Sequence, residues 1–252
     1  MEGPTSLIGC AGWSLASAVA GFFPAGGSHL ERYAQVLPAV EINSSFYRPH
    51  RPATYARWRD SVPAAFRFAV KVPKVITHER RLCDVEEPLA RFLDEVGHLD
   101  EKLGCLLVQL PPSLRFEPAV AGAFFEGLRA RTRGDVVCEP RHETWSSEAA
   151  QRLLADVRVG VVRADPQVVP EVPVRGEVAY YRLHGSPKIY HSEYSEPFLD
   201  ALARELSAHQ RAGRRTWCIF DNTASFAAVP NALSLLRRQR DEAPGSRPEA
   251  PR

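Results

Sequence analysis

Eight short runs of apolar and β-branched residues are spaced along the chain and alternate with longer amphipathic stretches. The predicted strands are Leu7–Cys10, Ala39–Ile42, Arg67–Lys71, Cys105–Gln109, Val136–Glu139, Val159–Arg163, Val178–His184 and Trp217–Asp221. Between them, helical periodicity is clearest in Glu87–Leu99, Pro118–Arg129 and Ser195–His209. Strand and helix in alternation indicate parallel βαβ units, and eight such units in about 240 residues match a (β/α)8 TIM barrel.

The alternative for such a pattern is an open, doubly wound sheet. It is disfavoured because the sequence contains neither GxGxxG nor GxxxxGK[ST], the glycine-rich turns that bind phosphate in many such sheets. We therefore predict an α/β fold with one TIM-barrel domain over residues 1–236. Residues 237–252 (RRQRDEAPGSRPEAPR) are polar, proline-rich and aperiodic, which predicts a disordered tail.

Charge and cysteine content restrict the partners and the compartment. The formal net charge of the 252 residues is +2, so global charge gives no strong case for a nucleic-acid binder. No apolar stretch reaches the roughly 18 residues of a membrane span, and residues 1–6 lack the features of a signal peptide. The five cysteines are far apart without a CxxC pair, which is typical of free thiols in a cytoplasmic protein.

The apolar strands turn polar at their carboxyl ends. Residues two apart on a strand share a face, so Glu41 and Asn43 lie together, as do Arg182 and His184. If these faces point inward, they form a polar pocket at the C-terminal mouth, where barrel enzymes carry out their chemistry. The other interpretation is structural, because strands also end in polar residues when the chain reaches solvent or forms ion networks.

The residue types at the mouth suggest acid/base chemistry on an anion. His184 is the best general acid/base by residue type, and Glu41 and Glu139 are predicted as acid/base or orienting carboxylates. Lys71 ends a strand, where desolvation would favour base or Schiff-base chemistry and a neighbouring carboxylate would favour structural pairing.

An anion clamp is further predicted from Lys71, Arg141 and Arg182, because three cations exceed the charge that two nearby carboxylates would neutralise. Lys188 and Tyr190 follow strand 7, where many barrels bind phosphate, and the glycine after His184 allows close approach of a ligand. The predicted substrate-binding residues are Trp13, Asn43, His78, Gln109, Arg141, Arg182, Lys188, Tyr190, Asp221 and Asn222.

A divalent metal site is a less favoured alternative, so no cofactor is predicted. Carboxylates and an imidazole on different strands are suitable ligands, but no compact signature such as HExxH supports them. The set would consist of Glu41, Glu139, Asp165, His184 and Asp221.

Seven segments together resemble the domain-of-unknown-function 72 family, the YecE-like barrels. They are Ile8–Ser14 (IGCAGWS), Val40–Tyr47 (VEINSSFY), Lys71–His78 (KVPKVITH), Leu107–Ser113 (LVQLPPS), Glu139–His142 (EPRH), Tyr181–Gly185 (YRLHG) and Phe220–Ala224 (FDNTA). The resemblance implies a (β/α)8 fold and gives no reaction, because the family has no settled one. Cys10 and Ala11 replace the hydroxyl residues of the usual first motif, and Asp221 replaces a frequent asparagine.

Three functions remain open at this point. The first is an enzyme that uses acid/base residues on a small anionic, phosphate-bearing substrate. The second is a nucleic-acid-directed binder or a metal-dependent phosphodiesterase of endonuclease-IV-like type, which rests on fold analogy. The third is a non-catalytic small-molecule binder.

Overall fold

The computed structural model describes residues 6–170 and 172–241. Eight parallel strands close into a barrel in which each strand pairs with the next and β8 pairs with β1. The strands are β1 Leu7–Ala11, β2 Ala39–Ile42, β3 Arg67–Lys71, β4 Leu103–Gln109, β5 Asp135–Glu139, β6 Gly160–Asp165, β7 Val178–Leu183 and β8 Arg215–Phe220. The predicted TIM barrel is therefore confirmed, with strand boundaries that differ from the predictions by at most two residues.

Helices surround the barrel. They are α1 Ser17–Ala20, α2 His29–Ala34, α3 Ser44–Tyr47, α4 Pro52–Asp60, α5 Glu86–Gly97, α6 Pro118–Arg129, α7 Glu148–Asp156, α8 Glu196–Arg211 and α9 Ala228–Asp241. Local sequence starts several of them, because the side chains of Ser28, Ser147 and Ser195 accept hydrogen bonds from backbone N–H groups of the first turns of α2, α7 and α8. Within the described residues, no helix is long and apolar enough to cross a membrane.

The connection from β6 to β7 departs from the regular repeat. Its described residues, 166–170 and 172–177, contain no helix. Pro166, Pro170 and Pro173 explain this, because proline in a helix interior lacks the backbone donor and clashes with the preceding turn.

Helix α9 extends past the predicted end of the domain at residue 236. It continues to Asp241 because its last turns are bonded to α8. Arg238 forms ion pairs with Glu196 and with Asp200, and Gln239 donates a hydrogen bond to the backbone of Ala203. The predicted disordered tail was therefore wrong for residues 237–241, and its remainder lies outside the described residues.

The inward faces of the strands change from apolar to polar along the barrel axis. Ala39, Val137 and Tyr180 belong to the apolar filling of the barrel, together with Trp217 and Ile219. Two residues further along their strands, on the same face, β2, β5 and β7 each carry a charged side chain. The alternation thus places a buried charged layer on top of the apolar core, at the C-terminal mouth.

Candidate functional site

The charged layer is formed by residues from several strands that are distant in sequence. It is called the mouth cluster below and consists of Glu41, Lys71, Glu139, Arg141, Arg182, His184 and Asp221. All except Arg141 are at most 7% exposed. The predicted gathering of strand-end residues at one end of the barrel is therefore confirmed.

Arg182 is the centre of the mouth cluster. Its Nε donates to both carboxylate oxygens of Glu41 at 3.1 Å, and its two terminal nitrogens contact Glu139 (3.4 Å) and Asp221 (2.9 Å). Burial opposes the charge on the guanidinium, but the three carboxylates outweigh it and raise the pKa of Arg182 well above its usual value. Arg182 therefore stays charged, and every one of its nitrogens already contacts a carboxylate.

This arrangement corrects the predicted anion clamp. Arg182 is 1% exposed, so it has neither surface nor free donors for a ligand. Three carboxylates, rather than two, lie among the three cationic side chains of the cluster. The expected excess of positive charge is absent from the mouth cluster, and Arg182 has a structural role there.

His184 bridges two carboxylates at the centre of the mouth. Its Nδ1 lies 3.0 Å from Oδ2 of Asp221, and its Nε2 lies 3.3 Å from Oε1 of Glu139 and 3.1 Å from a terminal nitrogen of Arg141. A proton on Nε2 has the carboxylate of Glu139 as acceptor, and an unprotonated Nε2 accepts from Arg141. Nε2 of His184 therefore has a partner in either protonation state, which suits a group that exchanges protons.

The pKa of His184 is expected to lie above that of an exposed histidine. Burial lowers it, but the hydrogen bonds to Asp221 and Glu139 raise it by more. Asp221→Asn removes one carboxylate and is expected to lower the pKa of His184. An NMR titration of the imidazole in both proteins measures this, with the exposed His98 as internal reference. An unchanged pKa of His184 in the variant would contradict the assigned contact.

Glu139 and Glu41 serve as fixed acceptors. Arg182, His184 and Arg141 hold the pKa of the Glu139 carboxyl well below its usual value, although burial alone would raise it. Glu41 is fully buried and also accepts a hydrogen bond from Oη of Tyr180 at 2.8 Å. The orienting role predicted for these carboxylates fits this geometry, whereas an ionised and fully engaged Glu139 is a poor general acid.

Lys71 differs from the other cations of the cluster. Its ammonium lies 4.0 Å from the ring centroid of Phe46, and within the described part of the chain it has no carboxylate within ion-pair distance. Burial, and then the charge of Arg182, lower the pKa of Lys71 to about 8 despite the more distant carboxylates. The amine thus has free N–H donors and titrates near neutral pH.

His78 and Arg141 lie on the same side of the mouth as Lys71. His78 packs edge-on against Phe46, with ring centroids 4.9 Å apart, and burial together with the charges of Lys71 and Arg141 lowers its pKa. One end of Arg141 contacts Glu139 and His184, but its buried Nε has no acceptor among the described residues. This side of the mouth therefore has cationic donors that the protein leaves without acceptors.

The remaining predicted site residues divide into two groups. Gln109 donates to Glu139 at 3.1 Å, Asn43 lies 3.5 Å from Arg182, and the exposed Tyr190 packs edge-on against His184. These side chains border the mouth cluster.

The second group does not reach the cluster. Trp13 packs edge-on against Trp58, and the exposed Lys188 forms no side-chain hydrogen bond or ion pair with the described residues. Asn222 was predicted to bind substrate, but its amide donates to Ser192 and Asn231 and so joins the loop after β7 to α9.

Gly185, which was expected to allow close approach of a ligand, lies against the loop that follows β7. Its φ of +92° favours glycine, and a Cβ there would lie 2.9 Å from the carbonyl oxygen of Ser192. The close approach at this glycine is to the loop that follows β7.

Two contributors to the mouth, Tyr180 and Phe46, were not among the predicted site residues. Tyr180 donates a hydrogen bond to Glu41 from the adjacent apolar layer of the barrel. The period-two spacing of Tyr180, Arg182 and His184 indicates that all three share the inward face of β7. Phe46 contacts both Lys71 and His78, but no periodicity distinguishes it from an ordinary apolar residue of a short helix.

The residues proposed for a divalent metal site are not arranged as a set of metal ligands among the described residues. Within residues 6–170 and 172–241, no three His, Cys, Asp or Glu side chains are arranged to share a metal ion. Asp165 lies on the outward face of β6, where its Oδ2 accepts from Oη of Tyr194 at 2.7 Å, and Arg182 lies between the other carboxylates. The predicted five-residue set was therefore wrong.

The chain resembles several known proteins. It is 30% identical over 115 residues to the UPF0759 protein YecE of Escherichia coli (strain K12), and this match spans 42% of either chain. It is 23% identical over 264 residues to the UPF0759 protein YunF of Bacillus subtilis (strain 168), covering 91% of this chain and 93% of that one.

Solved structures show the same fold. A DUF72 family protein from Thermotoga maritima MSB8 superimposes with a TM-score of 0.80 at 24% identity and covers 94% of this chain and 99% of its own. A second, from Enterococcus faecalis V583, has a TM-score of 0.79 at 20% identity, with 98% and 100% covered. The sequence matches the family described as "Protein of unknown function DUF72" over residues 7–252. The chain therefore belongs to the DUF72 family.

Proposed function

We propose that the C-terminal mouth is the active site of an enzyme that acts on a small anionic, phosphate-bearing substrate. The observation that carries the proposal is Lys71, a buried lysine without a carboxylate partner in the described chain and with a pKa of about 8. A structural lysine at such a depth is normally ion-paired, because burying an uncompensated charge is costly.

Lys71 and Arg141 bind the anionic group in this proposal. Both have N–H donors without acceptors, both lie close enough to His78 to lower its pKa, and the neutral His78 adds no further repulsive charge. Hydrogen bonds from charged nitrogens to phosphate oxygens are among the stronger ones in proteins.

His184 moves the proton in the same proposal. Asp221 holds Nδ1, so the proton that exchanges is the one on Nε2, on the side of Arg141. An anion that draws Arg141 towards itself removes one of the contacts of Nε2 of His184, which couples binding to proton transfer.

Inorganic phosphate is expected to bind the wild-type protein, and both Lys71→Met and Arg141→Gln are expected to weaken it by about ten- to hundredfold, as for one lost charged hydrogen bond. Above about pH 8 the wild-type affinity falls, since the amine of Lys71 loses its proton, whereas the affinity of Lys71→Met stays flat. Isothermal titration calorimetry at a series of pH values measures both effects.

Arg152→Gln is the matched control, because Arg152 is an exposed residue of α7 whose partner is Glu148, four residues earlier on the same helix. Equal phosphate affinity in wild type, Lys71→Met and Arg141→Gln would refute the proposal.

Exposed aromatic residues support a second candidate, a nucleic-acid-directed function of the same mouth. The exposed fractions of Tyr47, Tyr190 and Phe226 are 72%, 48% and 45%, and the three residues lie in the connections that follow β2, β7 and β8. Aromatic rings beside cationic groups stack on the bases of single strands. An oligothymidylate that displaces phosphate far more effectively than a phosphate monoester of similar charge would favour this candidate.

We also propose a cytoplasmic location, which the five free cysteines support, four of them buried.

A further inference from the structure

A cavity of about 560 Å³ lies at the opposite end of the barrel from the mouth. Residues at the N-terminal ends of the strands line it, among them Arg67 of β3, Asp135 of β5 and Arg215 of β8. None of these residues belongs to the mouth cluster, so the cavity is independent of the proposed function.

Arginine is the most frequent residue type in the wall of the cavity. Six arginines and two carboxylates, Asp135 and Glu177, contribute to its wall, which leaves four positive charges uncompensated. The six arginines are Arg67, Arg129, Arg133, Arg158, Arg175 and Arg215.

Both carboxylates are engaged by the same arginine. Arg215 donates to Oδ1 of Asp135 at 2.7 and 2.9 Å and lies 3.3 Å from Glu177. Asp135 is 8% exposed and its other oxygen accepts from Nε1 of Trp217, so it cannot turn towards another arginine. Within the described chain, no carboxylate lies at ion-pair distance from any of the other five arginines.

Arg129 lies among these arginines without a carboxylate partner in the described chain. The backbone oxygen of Gly134 fixes one of its terminal nitrogens at 2.6 Å, and its buried Nε has no acceptor among the described residues. Burial, and then the charge of Arg158, lower the pKa of Arg129. A structural ion network would place carboxylates between such groups, whereas here five of the six arginines line one cavity without a carboxylate at ion-pair distance among the described residues.

We propose that this cavity, the N-terminal arginine cavity, binds a small polyanion that contains a pyrophosphate group. Guanidinium groups bind phosphate oxygens in pairs of parallel hydrogen bonds, and the four uncompensated charges match a ligand with two or more phosphates. The volume lies within the usual range for small-ligand sites.

The test is a calorimetric titration of the protein with inorganic pyrophosphate in the presence of EDTA. The ionic strength is kept at about 0.15 M, because long-range electrostatic attraction is then screened beyond about 8 Å. Wild type is expected to bind one pyrophosphate in this cavity, and Arg133→Gln/Arg158→Gln to bind it at least about tenfold more weakly. Both side chains are exposed and form no hydrogen bonds with the described residues, so the fold is expected to persist, and the melting temperature verifies this.

The control is Arg204→Gln/Arg211→Gln, which makes the same charge change on exposed residues of α8 that do not line the cavity, and is expected to keep wild-type affinity. A parallel titration with ATP distinguishes inorganic pyrophosphate from a nucleotide as the source of the group. The proposal is overturned if pyrophosphate does not bind, if both double variants bind it equally, or if Arg141→Gln at the mouth abolishes binding while the cavity variant does not.

Discussion

Arg182→Met is expected to lower the free energy of unfolding by about 3–5 kcal/mol, the usual effect of removing one partner from a buried ion pair. The substitution keeps much of the side-chain volume but leaves Glu41 and Glu139, both fully buried, without their principal cation. Urea denaturation of both proteins at neutral pH measures the difference. The exposed Arg152→Met provides the comparison and is expected to change stability by less than about 0.5 kcal/mol.

A second substitution separates charge from packing. Glu41→Gln in the Arg182→Met background removes one uncompensated charge and retains an oxygen for the hydroxyl of Tyr180. Part of the lost stability is therefore expected to return in the double variant. If Arg182→Met alone is as stable as wild type, the central role of Arg182 in the mouth cluster is wrong.

Lys71→Met is expected to stabilise the protein at neutral pH. The folded pKa of about 8 lies below the ordinary value of 10.5, so the folded state disfavours the charged amine. At about 1.4 kcal/mol per pKa unit, replacing this charge contributes up to roughly 3 kcal/mol, and loss of the contact with Phe46 reduces the gain. Such a gain at the cost of binding is typical of functional residues.

The stability difference between Lys71→Met and wild type is expected to depend on pH. Between about pH 8 and pH 10.5 the unfolded lysine binds more protons than the folded one, so wild-type stability rises with pH across this window. The advantage of Lys71→Met is therefore full below pH 8 and disappears towards pH 10.5. The exposed Lys188→Met is the control and is expected to show neither effect. A Lys71→Met protein that is less stable than wild type at neutral pH would show that Lys71 is compensated.

The sequence alone determined the strand order and which residues of each strand share a face. Short apolar runs and their spacing predicted the barrel, and residues two apart predicted that Glu41, Arg182 and His184 point inward at its mouth. The connection from β6 to β7 was decided locally as well, since the prolines that disfavour a helix there are visible in the sequence.

Pairing within the mouth was decided only by the tertiary structure. Arg182 contacts Glu41 across 141 positions of sequence, and no local pattern indicates that it takes three carboxylates while Lys71 takes none. The same holds for Asn222, which binds a loop and α9, and for the N-terminal arginine cavity, whose arginines are scattered along the chain. The physical reason is that side-chain parity depends on the two-residue repeat of a single strand, whereas the choice of partner depends on the closure and register of all eight.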